Sequence, residues 1–600
     1  MQGIIAARLD ALSGEEKLLI QDAAVIGKVF WSGALAALGG VTAWTIEERL
    51  HALERKEFVR RERHGSIASD TEYAFRHLLV RDVAYAQIPR PGRAEKHRLA
   101  AEWIGSLAGG RSEDRSEMLA HHYGAALEFA RASGEDVSAL VQCARVAYMD
   151  AGERALALSA ISTAVQFFGR TLDLMWEEDD DWPRLVLRHA QAELLLHQGG
   201  EHVLIDRALQ RFLDAGEIES AAEAELQLAE RAWFAGRSDE LFERLARARE
   251  LVANRPASAT KTHVYSQYSR FLMLANRNDE AVEAGQESLA LARELDLTEL
   301  QAHALNNIGT ARAIAGDREG LAELEEAFDI AMAINSSEAI RSLGNQASLV
   351  GSFGDLPRCY ALNEQANELA ARFGIVGFGL WVSAELALLD YWAGRWDVAL
   401  EHVDAFLAGA GETHYMEIAA RAVLGEVLTA RGDPDRGMAE SERALALART
   451  AKDPQALYPN LAASAWMLAR AGRLAEASDR VEELLALVAD REFHANQWAL
   501  YATFALEDLG RPSDAAPMLA GLRAPTRWRD AATAYAAGDR IGAADILREM
   551  GNATDEAYAR LRAAELDGAT EQIGPALAFY RDQRASAFVH RAEALLLASA

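Results

Sequence analysis

A glycine, or a small stand-in for one, closes one apolar run and precedes the next at Ser159, Gly199, Gly236, Asn276, Gly316, Gly354, Gly394, Gly432, Gly472 and Gly510. The successive steps are 40, 37, 40, 40, 38, 40, 38, 40 and 38 residues. A repeat this regular excludes a single globule with an arbitrary order of elements. It specifies a stack of similar two-helix units, none of which can bury its apolar face without its neighbours. Most of the chain is therefore expected to be a surface for holding something, with no catalytic cavity required.

Each unit reads as helix, tight turn, helix. Leu305, Ile308 and Ala311 lie on one apolar stripe that ends at Ala315-Gly316-Asp317, and Leu321, Leu324 and Ala327 open the next. The same plan recurs at Trp392-Ala393-Gly394-Arg395 and at Ala471-Gly472-Arg473. Glycine suits the turn because the residue that ends a helix commonly takes a left-handed conformation, which a Cβ disfavours. Five residues beyond the turn a small residue recurs, at Ala164, Ala281, Ala399, Ala477 and Ala515. It lets paired helices approach closely. Leu241, Leu321 and Cys359 at this place show that the rule is loose.

These features resemble tetratricopeptide repeats, which also end their first helix on glycine and place a small residue early in the second. The period here exceeds that family's 34 residues, which implies helices longer by about half a turn to a turn. After Gly510 the spacing tightens, with Gly538 and Gly568 following at 28 and 30 residues. Terminal units are usually atypical, because one face must meet water. Phe579 to Leu597 reads as one closing helix, with Phe588, Ala592 and Leu596 on its apolar stripe.

The balance of charge changes along the chain. Residues 1–100 carry 15 Lys+Arg against 13 Asp+Glu, whereas the whole chain carries 62 against 91 and a formal net charge of −29. An acidic array repels phosphate backbones, so it is a poor nucleic-acid surface. The acidity serves either solubility or a basic partner. Cys143 and Cys359 are the only cysteines, which rules out a disulfide framework and suits a reducing cytoplasm. Met1 to Asp10 has no signal-peptide pattern, and the uncharged run Val29 to Ile46 is interrupted by Gly33, Gly39 and Gly40. No membrane association is expected.

The first hundred residues have a different organisation. Ser13 with Glu16 forms a capping box for a helix over Gly14–Ile26. Trp31–Leu38 and Thr42–Arg55 give further helices. Phe58-Val59-Arg60-Arg61-Glu62-Arg63 and Glu72-Tyr73-Ala74-Phe75 read as two strands around a loop containing His64-Gly65-Ser66. Helices followed by a hairpin give a winged-helix order. The expected fold is all-α, with a winged-helix-like domain carrying a β-hairpin over 1–98 and a helical connector over 99–140. A right-handed, TPR-like solenoid of eleven or twelve helical hairpins then occupies 141–600.

Several segments resemble the region that follows the ATPase module in bacterial STAND-class signalling ATPases, above all those associated with class III adenylate/guanylate cyclases. They are Ile4-Ile5-Ala6-Ala7-Arg8-Leu9-Asp10-Ala11-Leu12, Ala23-Ala24-Val25-Ile26-Gly27-Lys28-Val29-Phe30, Phe75-Arg76-His77-Leu78-Leu79-Val80-Arg81-Asp82-Val83-Ala84-Tyr85 and Leu119-Ala120-His121-His122-Tyr123. The resemblance implies a regulatory arm that docks on an ATPase through its N-terminal domain and binds a protein, peptide or small effector on the concave face of the array. It also implies that His77 contacts the phosphates of an ADP held by the ATPase. Read from the residues alone, His77 is a half-buried residue joining hairpin to helix.

No G-x-x-x-x-G-K-[ST] is present, since Gly27-Lys28 is followed by Val29 and lacks the upstream glycine. Neither G-x-S-x-G, H-E-x-x-H nor a paired-cysteine motif occurs, so neither an enzyme nor a cofactor is expected on this chain alone. Arg60, Arg61, Arg63, Arg76 and Arg81 form a basic neighbourhood that could serve a DNA-binding wing. Glu47, Glu48 and Glu54 on the helix that would read bases argue against one. The adjacent His121 and His122 point to different helix faces and are not expected to share a metal ion. Trp233, Trp381, Trp392, Trp396, Trp466 and Trp498 are expected in the repeat core, with some on the concave side. The remaining alternatives are a stand-alone scaffold for a basic partner and a DNA-binding regulator.

Overall fold

At Asn276, Gly316, Gly354, Gly394, Gly432, Gly472 and Gly510 the backbone turns into the left-handed region, with φ between 60° and 96°. The turns share one hydrogen-bond pattern. Asp317 donates its N–H to the Arg312 carbonyl at 3.0 Å, Asp433 to Leu428 at 2.9 Å and Arg473 to Leu468 at 2.9 Å. These six-to-one bonds satisfy carbonyls that the helix end leaves open, which is why a residue tolerant of positive φ recurs there. The computed structural model describes residues 2–62, 70–107, 115–158, 160–195, 202–235, 237–373, 375–409, 415–488, 497–522 and 525–599. Arg63, the loop residues His64, Gly65 and Ser66, and the turn positions Ser159, Gly199 and Gly236 lie outside the described residues.

The chain folds as two compact units, Met1–Glu193 and Leu194–Ala600. The first opens with α1 (Gln2–Asp10), α2 (Gly14–Ile26), β1 (Val29–Trp31), α3 (Ser32–Gly39) and α4 (Ala43–Arg55). It continues with β2 (Val59–Arg61), β3 (Glu72–Phe75) and α5 (Leu78–Ala86). The capping box forms as expected, with Glu16 N–H on the Ser13 hydroxyl and Ser13 N–H on the Glu16 carboxylate. β2 and β3 pair antiparallel, with Val59 opposite Phe75 and Arg61 opposite Tyr73. The sequence reading needs one correction here. Trp31 belongs to a third strand, β1, which pairs with the other edge of β3 and places Phe30 opposite Tyr73. A three-residue strand beside a glycine carries too short a pattern to be read as one. Leu9, Leu19, Ile20, Phe30, Leu50 and Phe75 belong to the core between these helices and the sheet.

The unit is completed by α6 (Arg90–Ser106), α7 (Arg115–Ser133), α8 (Ser138–Ala157), α9 (Ile161–Leu172) and most of α10 (Trp182–Leu195).

The second unit is a helical-hairpin solenoid. It begins with α11 (His202–Ala215), α12 (Ile218–Phe234), α13 (Ser238–Ala253), α14 (Ala259–Leu274), α15 (Asn278–Glu294) and α16 (Thr298–Ile314). There follow α17 (Gly320–Ala333), α18 (Glu338–Phe353), α19 (Leu356–Phe373), α20 (Val376–Trp392), α21 (Trp396–Gly409) and α22 (Glu417–Ala430). Next come α23 (Pro434–Ala451), α24 (Pro454–Arg470), α25 (Leu474–Val488), α26 (Gln497–Asp508) and α27 (Ala515–Ala520). The unit closes with α28 (Arg527–Ala536), α29 (Arg540–Met550), α30 (Ala553–Leu566), α31 (Ile573–Asp582) and α32 (Ser586–Ser599). The expected single helix over Phe579–Leu597 is thus two. Arg584 at φ 58° turns the chain between them, and a non-glycine residue in that conformation gives no sequence signal.

The even-numbered helices are the first members of their hairpins; α12, α14, α16, α20, α22, α24, α26 and α30 each pack on the next even-numbered helix as well as on their own partners. They form the inner layer of a curved stack. Ala281, Ala399 and Ala477 are fully buried at the helix crossings, as expected. Two crossings are tighter still. A Cβ on Gly320 would lie 2.3 Å from the Gly309 carbonyl oxygen, and one on Gly425 would lie 2.8 Å from that of Gly437.

Contacts ten helices apart set the superhelical period. α18 meets α28, α20 meets α30 and α22 meets α32. Asp239, on α13, lies 3.5 Å from Lys452 at the end of α23. Five hairpins therefore make one turn. From α18 to α32 successive turns press together and bury one continuous core containing Trp392, Trp396, Trp466, Trp498, Tyr501, Phe504, Trp528 and Tyr558. Among the described residues of this stretch, aromatic side chains fill the inside of the coil.

Candidate functional site

The inner layer changes character between α12 and α18. Hydrophobic residues of these helices face their hairpin partners, and polar side chains occupy the inner wall. His263 of α14 faces Glu223 of α12 at 3.0 Å, and its other ring nitrogen lies 3.1 Å from the Gln267 amide. Two helical turns on, Arg270 pairs with Glu230 at 3.1 Å. Arg341 of α18 holds Glu338 at 2.8 Å and donates to the Asn307 amide oxygen at 2.8 Å and to the His303 carbonyl at 3.2 Å. Asn345 donates to Asn306 at 2.8 Å, so the carboxamides link neighbouring hairpins.

The enclosure shifts these groups. Burial pushes the His263 imidazole toward neutrality, but the Glu223 hydrogen bond and the charges of Glu223, Glu230 and Glu338 outweigh it and hold the pKa above the usual value. His303 is driven well below its usual value by burial and by Arg341, Arg270 and His263. The wall therefore alternates fixed charges with neutral hydrogen-bonding groups.

An aromatic stack continues the wall. The Tyr415 ring lies 5.9 Å from Trp233 and 5.6 Å from Trp381, stacked on both. Its hydroxyl donates to Asp453 at 2.6 Å. All three rings are half-buried, whereas Trp392, Trp396, Trp466 and Trp498 are core. Glu385 sits one helical turn beyond Trp381 on α20. Burial alone pushes its carboxyl up to about 7, and no partner reaches it among the described residues. Nothing in the sequence marked Glu223, His263, Asn307 or Arg341. Their only signal is position on first helices, and it becomes readable once the inner layer is known.

The residues singled out in the N-terminal region are placed as follows. His77 begins α5 with an extended backbone and makes no capping bond. It is exposed, with Arg76, Leu78 and Leu79 beside it, and the leucines are 52% and 40% exposed. The arginines lie beside acids or carbonyls. Arg60 bonds Glu62 at 2.9 Å, Arg76 lies 3.5 Å from Glu57, and Arg81 reaches Asp82 at 3.0 Å and the Ala24 carbonyl at 3.3 Å. The backbone N–H of Arg61, not its guanidinium, donates to Glu54 at 3.1 Å. These pairings dilute a phosphate-binding surface.

His121 and His122 leave α7 in different directions, yet both rings meet a third histidine, His97 of α6. The ring centroids of His97 lie 5.8 Å from His121 and 5.1 Å from His122. His97 and His122 are buried and His121 is exposed. Burial lowers His97 to about 2, with the other two histidines, Arg81 and Arg93 adding to the effect. Burial and His121 lower His122 to about 3.

No family model matches this sequence, and no curated protein matches it. Among solved structures the chain is similar to a STAND-class signal transduction ATPase with a tetratricopeptide repeat sensor from Pyrococcus horikoshii. The identity is 15%, the TM-score 0.37, and the match covers 73% of this chain and 63% of that one, under two thirds of its length. It is also similar to a Rap protein complexed with competence and sporulation factor, at 12% identity, a TM-score of 0.41, and coverage of 60% and 99%. Cut9–Hcn1 of the APC/C matches at 12% identity and a TM-score of 0.43, with coverage of 85% and 96%.

Proposed function

We propose that this chain is a non-catalytic regulatory arm whose solenoid binds an extended protein or peptide segment along the inner wall of α12–α18 and the stack of Trp233, Tyr415 and Trp381. The observation that carries this reading is the wall itself. The half-buried carboxamides of Gln267 and Asn345 carry donors and acceptors of the kind a peptide backbone requires, between fixed charges and half-buried aromatic faces. Glu385 gives the wall a buried carboxyl that a basic side chain would hold ionised.

The finer reading is that the arm belongs to a STAND-type signalling ATPase or nucleotide cyclase. Residues 1–98 form its winged-helix-like domain, and an ATPase module docks on the exposed Arg76-His77-Leu78-Leu79 edge. Support comes from the motif that contains this edge, and from the presence there of two exposed leucines beside a histidine, a composition suited to a partner surface. DNA contact is the weaker reading, because the side chains of Arg60, Arg76 and Arg81 face acids.

A peptide-display library panned on the full chain tests the binding role. Enriched peptides should bind at micromolar Kd, and Trp381→Ala or Asn345→Ala should weaken them at least about tenfold, roughly 1.4 kcal/mol. Failure to enrich, or binding that both variants leave unchanged, would remove the inner wall as the site.

A further inference from the structure

Three imidazoles converge where α6 meets α7. The ligand nitrogens of His97, His121 and His122 all lie within 4.8 Å of one another. The Nδ1 atoms of His97 and His122 are 2.9 Å apart. The ring planes are inclined to one another by 43° to 78°, so they do not stack. Neighbouring residues of one helix diverge, but His97 reaches in from the adjacent helix and closes the gap between them.

The surroundings fit an ion. The Tyr85 hydroxyl lies 2.8 Å from His97 Nε2, which fixes that ring by its second nitrogen and leaves Nδ1 aimed at the cluster. Tetrahedral zinc, at about 2.0–2.1 Å from each nitrogen, places its ligands about 3.3 Å apart. His97 and His122 need to separate by only about 0.4 Å, and the exposed His121 closes by a rotamer change. The set contains no carboxylate, which suits zinc, copper, nickel or cobalt and excludes calcium and magnesium. Arg81 and Arg93 oppose a cation. Both are engaged elsewhere: Arg81 with Asp82 and the Ala24 carbonyl, Arg93 with the Ala86 carbonyl at 3.0 Å and over the Tyr85 ring at 4.7 Å.

We infer that His97, His121 and His122 form a three-nitrogen site for a borderline divalent transition-metal ion, which ties α6 to α7 and leaves an open coordination position on the His121 side. The alternative is a metal-free hydrogen-bond chain from Tyr85 through His97 to His122.

The test is calorimetric titration of the chelator-stripped full chain with zinc chloride, alongside thermal unfolding. One zinc per chain at micromolar Kd or tighter is expected, with a Tm raised by several degrees. His121→Ala alters an exposed side chain and so keeps the fold; it should weaken binding at least tenfold. His51→Ala, an exposed histidine on α4, should leave it unchanged. Cobalt loading should give the visible absorption of a nitrogen-ligated ion in the wild type, lost in His122→Asn. No stoichiometric zinc at about 100 μM, or wild-type binding in His121→Ala, would leave the hydrogen-bond chain as the whole role of the cluster.

Discussion

Trp392 donates its indole N–H to the Tyr501 hydroxyl at 2.9 Å, across 109 residues of chain. Tyr501 in turn donates to Asp555 at 3.2 Å. Three hairpins of the coil are thereby tied through one buried hydroxyl. Tyr501→Phe would leave the indole N–H without its acceptor and remove one donor from Asp555. A loss of about 1–3 kcal/mol is expected. Urea unfolding at pH 7 checks it, and a loss below about 0.5 kcal/mol would show that the tie contributes little.

The turn glycines should divide into two classes. A Cβ on Gly472 meets nothing within 4 Å, whereas one on Gly394 would lie 2.6 Å from the Phe579 ring. Both residues have φ near 75°. Gly472→Ala should cost about 1–2 kcal/mol for the left-handed backbone alone. Gly394→Ala should cost clearly more, because the adjacent superhelical turn must move. Equal losses in denaturant titrations would contradict the close packing of turns.

Asp555 is buried and its pKa is pushed up to about 7 by burial, only partly offset by hydrogen bonds from Asn552 and Tyr501. The folded state holds this proton more tightly than the unfolded chain, whose Asp titrates near 3.9. Its contribution to stability is therefore fullest below about pH 4 and is lost as pH rises to 7. Asp555→Asn should flatten the pH dependence of stability between pH 4 and 7 relative to wild type. Parallel profiles from urea midpoints would show that Asp555 ionises normally.

His77→Ala should leave stability within about 0.5 kcal/mol, because the side chain is exposed and caps nothing. In a protein that joins this arm to an ATPase module, the same substitution should shorten retention of bound ADP, measured by release of labelled nucleotide. Unchanged retention would remove His77 from any nucleotide contact, and Leu78→Asp with Leu79→Asp would then test docking separately.

Much of the architecture was written in short stretches of sequence. The Ser13–Glu16 capping box, the left-handed turn positions and the small residues at helix crossings each depend on neighbours a few residues away, so a local window specifies them. The five-hairpin period follows no such window. It is the sum of small rotations over many packed interfaces, and only the closed coil shows that Gly354, Gly394 and Gly432 also admit a second turn of the chain, that Trp392 belongs with Tyr501, and that Trp233 and Trp381 share one wall. His97 meets His121 and His122 for the same reason. The sequence fixes which face of each helix is polar, but the crossing of α6 on α7 decides which polar groups come together.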